Sequence, residues 1–539
     1  MATTTFLSIF TILIFPLFAK GQLLLPVVQT NSGKVAGQYM KTVLGNMTYK
    51  SFRGIPYAEP PLGELRFRPP KPKKPWNGTF LALKDGPTCI QQDRKNNNIV
   101  LGSEDCLYLN VYVPVIRSQS KRGQKQKQEK KKPVIVWIHG GAFTTGNGKS
   151  TFYGPDFLIE TNVIVVSIQY RLGPFGFLNI NHPQATGNCG LKDQNEGLKW
   201  VQQNIENFGG DRKKVTILGQ SAGGVSVDLQ VLSSMSTGLF RQSISMSASP
   251  LCIYWAFQSN AEAEERAFQL GKRLNPGLDN NKDNLLAILK NAPASKIIEQ
   301  ASQLGLIPFR PTLEDSRIAP EEPKFLTECT PKKYKQGNYN KGPHMMGFTL
   351  NEILFLANSP DELINYTLLA PKIINTVIPL SAIPAMMTIV SFPAKSLAKV
   401  EKIVFMNLIN ELSNLYFVTG IDRKQKLMSE TNQNPIYYYR YSFHSPYSAH
   451  KFEGIENLDG VAHEDELSHL FYRPQYNIPL DDQRISLMRR RLVKMWSNFA
   501  KYGNPTPDGP EDSLLQVTWP DSRKSGLHLE INDKLEVGD

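Results

Sequence analysis

Ser221 stands in Gly219-Gln220-Ser221-Ala222-Gly223, directly after the apolar, β-branched run Val215-Thr216-Ile217-Leu218. A buried strand that ends in Gly-x-Ser-x-Gly and runs into helix-forming residues turns sharply enough to lift the hydroxyl above the sheet edge. Gly219 and Gly223 flank the corner because a Cβ at either place would collide across the turn. Such a corner offers nucleophilic chemistry, attack on a carbonyl to give an acyl-serine. A serine in an ordinary glycine turn is the bland alternative, and three further segments weigh against it.

A serine hydroxyl is a poor nucleophile at neutral pH, so it needs a base, and the base needs an acid to fix its tautomer. His463 lies in Leu458-Asp459-Gly460-Val461-Ala462-His463-Glu464-Asp465-Glu466-Leu467, a loop after a strand and before an apolar helix start. It is the candidate base. His469, on the following helix, is the decoy, and His182, His344, His444, His450 and His528 sit in polar stretches without a frame. The acid falls between nucleophile and base in chain order. Glu352 ends the short apolar strand Met345-Met346-Gly347-Phe348-Thr349-Leu350-Asn351 and takes that role; its plainer reading is a helix-start glutamate answering the macrodipole. Third, His139-Gly140-Gly141-Ala142-Phe143 follows the apolar strand Pro133–Ile138. Small residues there leave backbone N–H groups free to meet a developing oxyanion, each donor being worth ~3–4 kcal/mol.

The elements that must position these groups alternate between strand and helix. Gly33–Gly37 and Thr48–Phe52 read as short strands, and Ser103–Val113 as an alternating strand. Val163–Ile168 is a buried strand, and a helix runs from Gly190 through Ile205 before Phe208-Gly209-Gly210-Asp211 leads to the nucleophile strand. This order predicts an α/β fold with a largely parallel, doubly wound sheet. Past Ser249 helices dominate, at Ala261–Leu274 and Leu285–Gln303. The uncharged run Ile373–Ala394 is broken by Pro379, Pro384 and Pro393, so it reads as pocket wall rather than a membrane span. A late strand over Pro435–Phe443 and a closing helix over Leu487–Lys501 complete the chain.

The formal net charge of +13 invites a nucleic-acid reading, but its location argues otherwise. Residues 117–132 hold eight Lys or Arg against Glu129 alone, so more than half of the surplus sits in one basic surface loop. Residues 1–21, apolar from Phe6 to Ala19 and interrupted by Pro16, read as a secretory signal peptide. Sequons at Asn46, Asn77 and Asn365 fit that route, and the last residues carry no apolar anchor tail. Cys89 and Cys106 enclose an Asn-rich segment and can pair in an oxidising compartment, a closure worth roughly 3 kcal/mol. Cys189, Cys252 and Cys329 read as small buried residues.

SEDCLYLNV (103–111), HGGAF (139–143), YRLGPFGFL (170–178), GNCGLKDQ (187–194), FGGD (208–211), GQSAGG (219–224), GFTLNE (347–352), GVAHEDEL (460–467) and NFAKYGNP (498–505) together resemble the type-B carboxylesterases, the family that includes the cholinesterases. The resemblance implies one α/β-hydrolase domain over 22–539, with a large sheet flanked by helices and helical insertions walling the pocket. It implies Ser221 as the acylated nucleophile, His463 as general base and acid, Glu352 as orienting acid, and the N–H groups of Gly141, Ala142 and Ala222 as the oxyanion hole. It further implies a Cys89–Cys106 disulfide, an Arg66–Glu104 ion pair and a supporting Ser247. The expected activity is that of a secreted carboxylic-ester hydrolase acting on a small-molecule ester, with no cofactor, no metal, no nucleic-acid partner and no transmembrane anchor; oligomeric state stays open.

Two departures narrow the expectation. No Trp stands between Cys89 and Cys106, and Asn96 lies near where cholinesterases place the aromatic residue that holds choline, so acetylcholine is not the expected substrate. Gln220 replaces the glutamate that many members carry before the serine. That spelling resembles insect juvenile hormone esterases, which makes a hormone or odorant ester the alternative substrate. A lipase and a non-catalytic binding protein on the same scaffold are the remaining alternatives.

Overall fold

The computed structural model describes residues 25–93, 96, 98–115, 130–356, 399–448 and 460–539. The expected signal peptide, most of the basic loop, Asn365, the run 373–394 and His450 lie outside the described residues. Eleven strands form one mixed sheet: Gln38–Lys41 (β1), Thr48–Pro56 (β2), Tyr108–Val115 (β3), Lys132–Ile138 (β4), Ile164–Ile168 (β5), Gly210–Gln220 (β6), Gln242–Met246 (β7), His344–Thr349 (β8), Ile436–Tyr441 (β9), His528–Ile531 (β10) and Leu535–Gly538 (β11). Their spatial order is β1-β2-β3-β5-β4-β6-β7-β8-β9-β10-β11. Every pair from β5 to β10 is parallel, and antiparallel pairs close both edges.

The centre of the sheet is covered on both faces, which is why β4 is apolar throughout rather than alternating. Val134, Val136 and Ile138 pack with Leu198, Val201, Val225 and Leu229, beneath helices Cys189–Asn204 and Ala222–Leu232. Ile135 and Trp137 point the other way, to Phe157, Phe471, Met495 and Trp496, the last two on helix Gln483–Tyr502. Because β4, β6, β7 and β8 run parallel, their carboxyl ends share one edge. The glycine loop, Ser221, Ser247 and Glu352 all follow those ends, where open α/β sheets place their ligands.

The structure corrects several local expectations. Ser103–Leu107 is not strand, and β3 is buried from Leu109 to Pro114 because β2 and β5 flank it inside the sheet. The expected helix Leu285–Gln303 is two, Lys282–Asn291 and Ala294–Ser302, divided at Pro293, whose missing N–H cannot continue the first. Cys189 and Cys252 are buried, but Cys329 is exposed. Lys132 does not belong to a solvated loop; it opens β4 and is buried. His344 does have a frame, as the buried first residue of β8 beside Ser243. Cys89 and Cys106 form a disulfide with a sequence separation of 17, and Arg66 pairs with Glu104 at 2.5 Å. Among the described residues no helix is long and apolar enough to cross a membrane.

Candidate active site

Ser221 sits between β6 and helix Ala222–Leu232 with φ 58° and ψ −130°. A non-glycine residue pays on the order of 1–3 kcal/mol for such backbone, and its surroundings must over-determine it. They do: the Ser221 N–H donates to the Met246 carbonyl at 2.9 Å, and its own carbonyl accepts from Val225 at 2.9 Å. A Cβ on Gly223 would lie 2.1 Å from the Ile138 carbonyl oxygen, so only glycine lets the helix start this close to β4.

The imidazole of His463 is buried and held at both nitrogens. Nδ1 lies 2.5 Å from Glu352 Oε2, and Nε2 lies 3.0 Å from the side-chain amide nitrogen of Gln220. These partners select one tautomer. Nδ1–H donates to the carboxylate, and the Nε2 lone pair accepts from the amide of Gln220, the residue before Ser221, while no hydrogen bond joins the imidazole to the Ser221 hydroxyl among the described residues. Glu352 opens a 3-10 turn, so the plainer reading of a helix-start glutamate holds for its backbone. Its carboxylate is nonetheless committed, because Oε1 accepts from the Thr349 N–H at 2.8 Å.

Gly141 and Ala142 both have positive φ, 112° and 53°, and their N–H groups have no backbone acceptor among the described residues. Ala222 is the first residue of its helix, where the N–H has no intrahelical partner. The glycine loop is pinned from behind: Tyr170 Oη donates to the His139 carbonyl at 2.8 Å, and the Gly173 N–H to the Phe143 carbonyl at 2.7 Å. Burial lowers the His139 pKa to about 4, so this histidine is a neutral structural element of the loop. Ser247, at φ 53°, keeps a buried hydroxyl without a partner among the described residues. Among the described residues no group of three or more His, Cys, Asp or Glu side chains is placed to hold a metal ion.

Several contributors were not legible in the chain. Asn351 ties the Glu352 segment to the His463 loop, exchanging hydrogen bonds with the Val461 backbone at 2.9 and 3.0 Å. Phe355 and Phe417 pack on the imidazole, each with a centroid distance of 5.0 Å. Lys424, fully buried, bonds Asp228 at 2.8 Å and joins the helix behind Ser221 to the one that follows Phe417. Nothing in the spacing of these residues marks them; only the packing of distant helices brings them together.

Glu466 is buried, its carboxyl oxygens bond to no other residue among the described residues, and burial together with the charge of Glu352 pushes its pKa well above 4.5. The folded state therefore holds this proton while the unfolded chain releases it, so the linked stability is present below pH 4.5 and is lost as pH rises toward the folded pKa. Glu466→Gln removes that loss. Its stability advantage over the natural protein is expected to grow by about 1.4 kcal/mol per pH unit across this window. Urea titrations at several pH values check it, and parallel curves for the two proteins would count against a neutral Glu466.

A sequence model described as the carboxylesterase family matches residues 25–539. The chain is 35% identical over 510 residues to a juvenile hormone esterase of Tribolium castaneum, covering 89% of this chain and 84% of that one. It is 32% identical over 540 residues to venom carboxylesterase-6 of Apis mellifera, covering 95% and 92%. It is 30% identical over 518 residues to a juvenile hormone esterase of Heliothis virescens, covering 92% and 88%. With the eleven-stranded sheet and the strained serine corner at its edge, these matches lead to one conclusion: the chain belongs to the carboxylesterase family of carboxylic-ester hydrolases.

Proposed function

We propose that Ser221, His463 and Glu352 form the catalytic triad of a secreted carboxylesterase. The observation that carries this reading is the imidazole of His463, fixed between the Glu352 carboxylate at 2.5 Å and the Gln220 amide at 3.0 Å beside the serine corner. His463 Nε2 takes the Ser221 proton as Oγ attacks the ester carbonyl. The N–H groups of Gly141, Ala142 and Ala222 receive the oxyanion of the tetrahedral intermediate. Collapse breaks the acyl–oxygen bond, and the imidazolium returns its proton to the leaving alcohol. Water, deprotonated by His463, then hydrolyses the acyl-serine and restores the hydroxyl. Glu352 keeps the imidazole in the productive tautomer throughout.

Secretion is supported by the apolar residues 1–21, by the Cys89–Cys106 disulfide and by the exposure of Asn46 and Asn77, two of the three sequons. A hormone-ester substrate is favoured by Gln220 and by the two juvenile hormone esterases among the relatives. A fluorophosphonate probe that labels the natural protein at Ser221 supports the triad, and an unlabelled active protein refutes it. Turnover of short p-nitrophenyl esters, a long-chain triglyceride and a juvenile-hormone-type methyl ester then ranks the substrate classes.

Gln220 yields a separate prediction. Gln220→Glu places a carboxylate where a neutral amide now meets Nε2, a charge that favours the imidazolium. A base must be neutral to accept the serine proton, so the acid limb of the kcat/KM profile is expected to move to higher pH. An unshifted limb would show that Gln220 does not face the working base.

A further inference from the structure

On the side of the sheet away from helix Ala222–Leu232, a cleft of about 250 Å³ opens between helix Gln483–Tyr502 and the segment that follows the His463 loop. Phe157, Ser468, Tyr472, Arg473, Asn477 and Arg489 line it; two guanidiniums face no carboxylate within the lining. Both arginines are nearly closed off from solvent, at 5% for Arg473 and 3% for Arg489. We propose that this cleft binds an oxyanion, the phosphate, sulfate or carboxylate group of a small ligand, between Arg473 and Arg489.

The unmet hydrogen-bonding capacity of the two guanidiniums points to it. Arg489 spends its terminal nitrogens on the carbonyls of Pro479 and Leu480, at 3.0 and 3.3 Å, and lies over the Phe157 ring at 4.5 Å. The acid closest to it in sequence, Asp482, is already engaged as the helix cap, accepting from the Ile485 N–H at 2.9 Å. Arg473 reaches one carboxylate, Glu464, at 3.3 Å, and the Tyr476 hydroxyl at 3.2 Å. Among the described residues its Nε and Nη1, the Nε of Arg489 and the hydroxyl of Ser468 have no hydrogen-bond partner. Glu464 and, at longer range, Asp482 supply negative charge to the two guanidiniums, but neither takes up these N–H groups, and unpartnered buried N–H groups are costly. An oxyanion offers what is missing, since its oxygens accept several charge-assisted bonds from arginine forks. Phe157 and Tyr472 give the cleft an apolar wall, which suits an anion that carries a small organic substituent.

Calorimetric titration of the full-length protein with inorganic phosphate, at ionic strength held constant with sodium chloride, tests the proposal without recourse to ester hydrolysis. One saturable site per chain, competed by sulfate, is expected; heats equal to the chloride control overturn it. Phenyl phosphate in a second arm separates the two sources of the group, binding more tightly than phosphate if an organic ester is the occupant and equally if the free ion is. Arg489→Gln is expected to weaken phosphate by roughly tenfold or more, and Arg489→Lys by less. Asn477→Asp guards against misfolding in the arginine variants. Asn477 is exposed and already left-handed, at φ 48°, a conformation that aspartate tolerates. The added carboxylate is expected to weaken phosphate by a similar factor, and natural affinity in that folded variant overturns the site.

Discussion

Ser221→Ala is expected to lower kcat for a short p-nitrophenyl ester by roughly 10⁴–10⁶-fold while leaving the thermal transition in place. The size follows from what the hydroxyl alone supplies. Without Oγ no acyl-enzyme forms, and His463, however well oriented, can at most direct water at the ester. The N–H groups of Gly141, Ala142 and Ala222, the proposed oxyanion donors, remain in place, so a residual rate above the uncatalysed reaction is expected to survive. Stability is expected to hold because alanine carries the same Cβ as serine and meets the same backbone strain at φ 58°. The hydrogen bonds that hold the corner, to Met246 and from Val225, are made by the backbone and are untouched. Steady-state rates and loss of fluorophosphonate labelling check the prediction together. Near-natural turnover in this variant would refute the role given to Ser221.

The parts of this arrangement that could be read from the chain are those encoded locally. A β-branched run ending in Gly-x-Ser-x-Gly leaves the backbone few options, and the corner at Ser221 lies where that pattern places it. The same holds for the loop at 139–143, because a strand that is apolar throughout must be central and must end at the shared edge. His463 stands out as the candidate base by chain order and by its loop between a strand and a helix start. Its contact with Gln220 was not legible, because a residue beside the nucleophile can turn toward the pocket or into the core, and the pattern is the same. Phe417 and Lys424 were opaque for a different reason. Helical periodicity past Ser249 says which residues are buried but not what buries them. The burial of Lys424 makes sense only beside Asp228, nearly two hundred residues earlier in the chain. The place of His344 is hidden on the same ground: a polar-looking neighbourhood, Lys341-Gly342-Pro343, precedes a strand that the sheet encloses.

Asp193→Ala is expected to cost about 3–5 kcal/mol of stability. Asp193 lies on helix Cys189–Asn204 and receives Arg171 in a two-pronged pair, at 2.8 Å from Nε and 2.7 Å from Nη2, with the Arg171 backbone N–H added at 3.1 Å. The two side chains are 3% and 0% exposed, so removing the carboxylate leaves a guanidinium with neither water nor counter-charge. The damage reaches the edge of the sheet. Arg171 follows Tyr170, which stacks on His139 at a centroid distance of 4.4 Å, and precedes Gly173, which holds the Phe143 carbonyl. The loop bearing Gly141 and Ala142 is thus pinned by the segment that the pair anchors, and the helix on the other side of the pair bonds Ser226 behind the serine corner through Gln194 at 3.0 Å. A urea midpoint lowered at unchanged slope is the expected signature. The double change Arg171→Met with Asp193→Leu is expected to recover much of the loss, since the dominant penalty is the stranded charge and not the missing attraction. A double variant no more stable than Asp193→Ala would place the cost in packing instead.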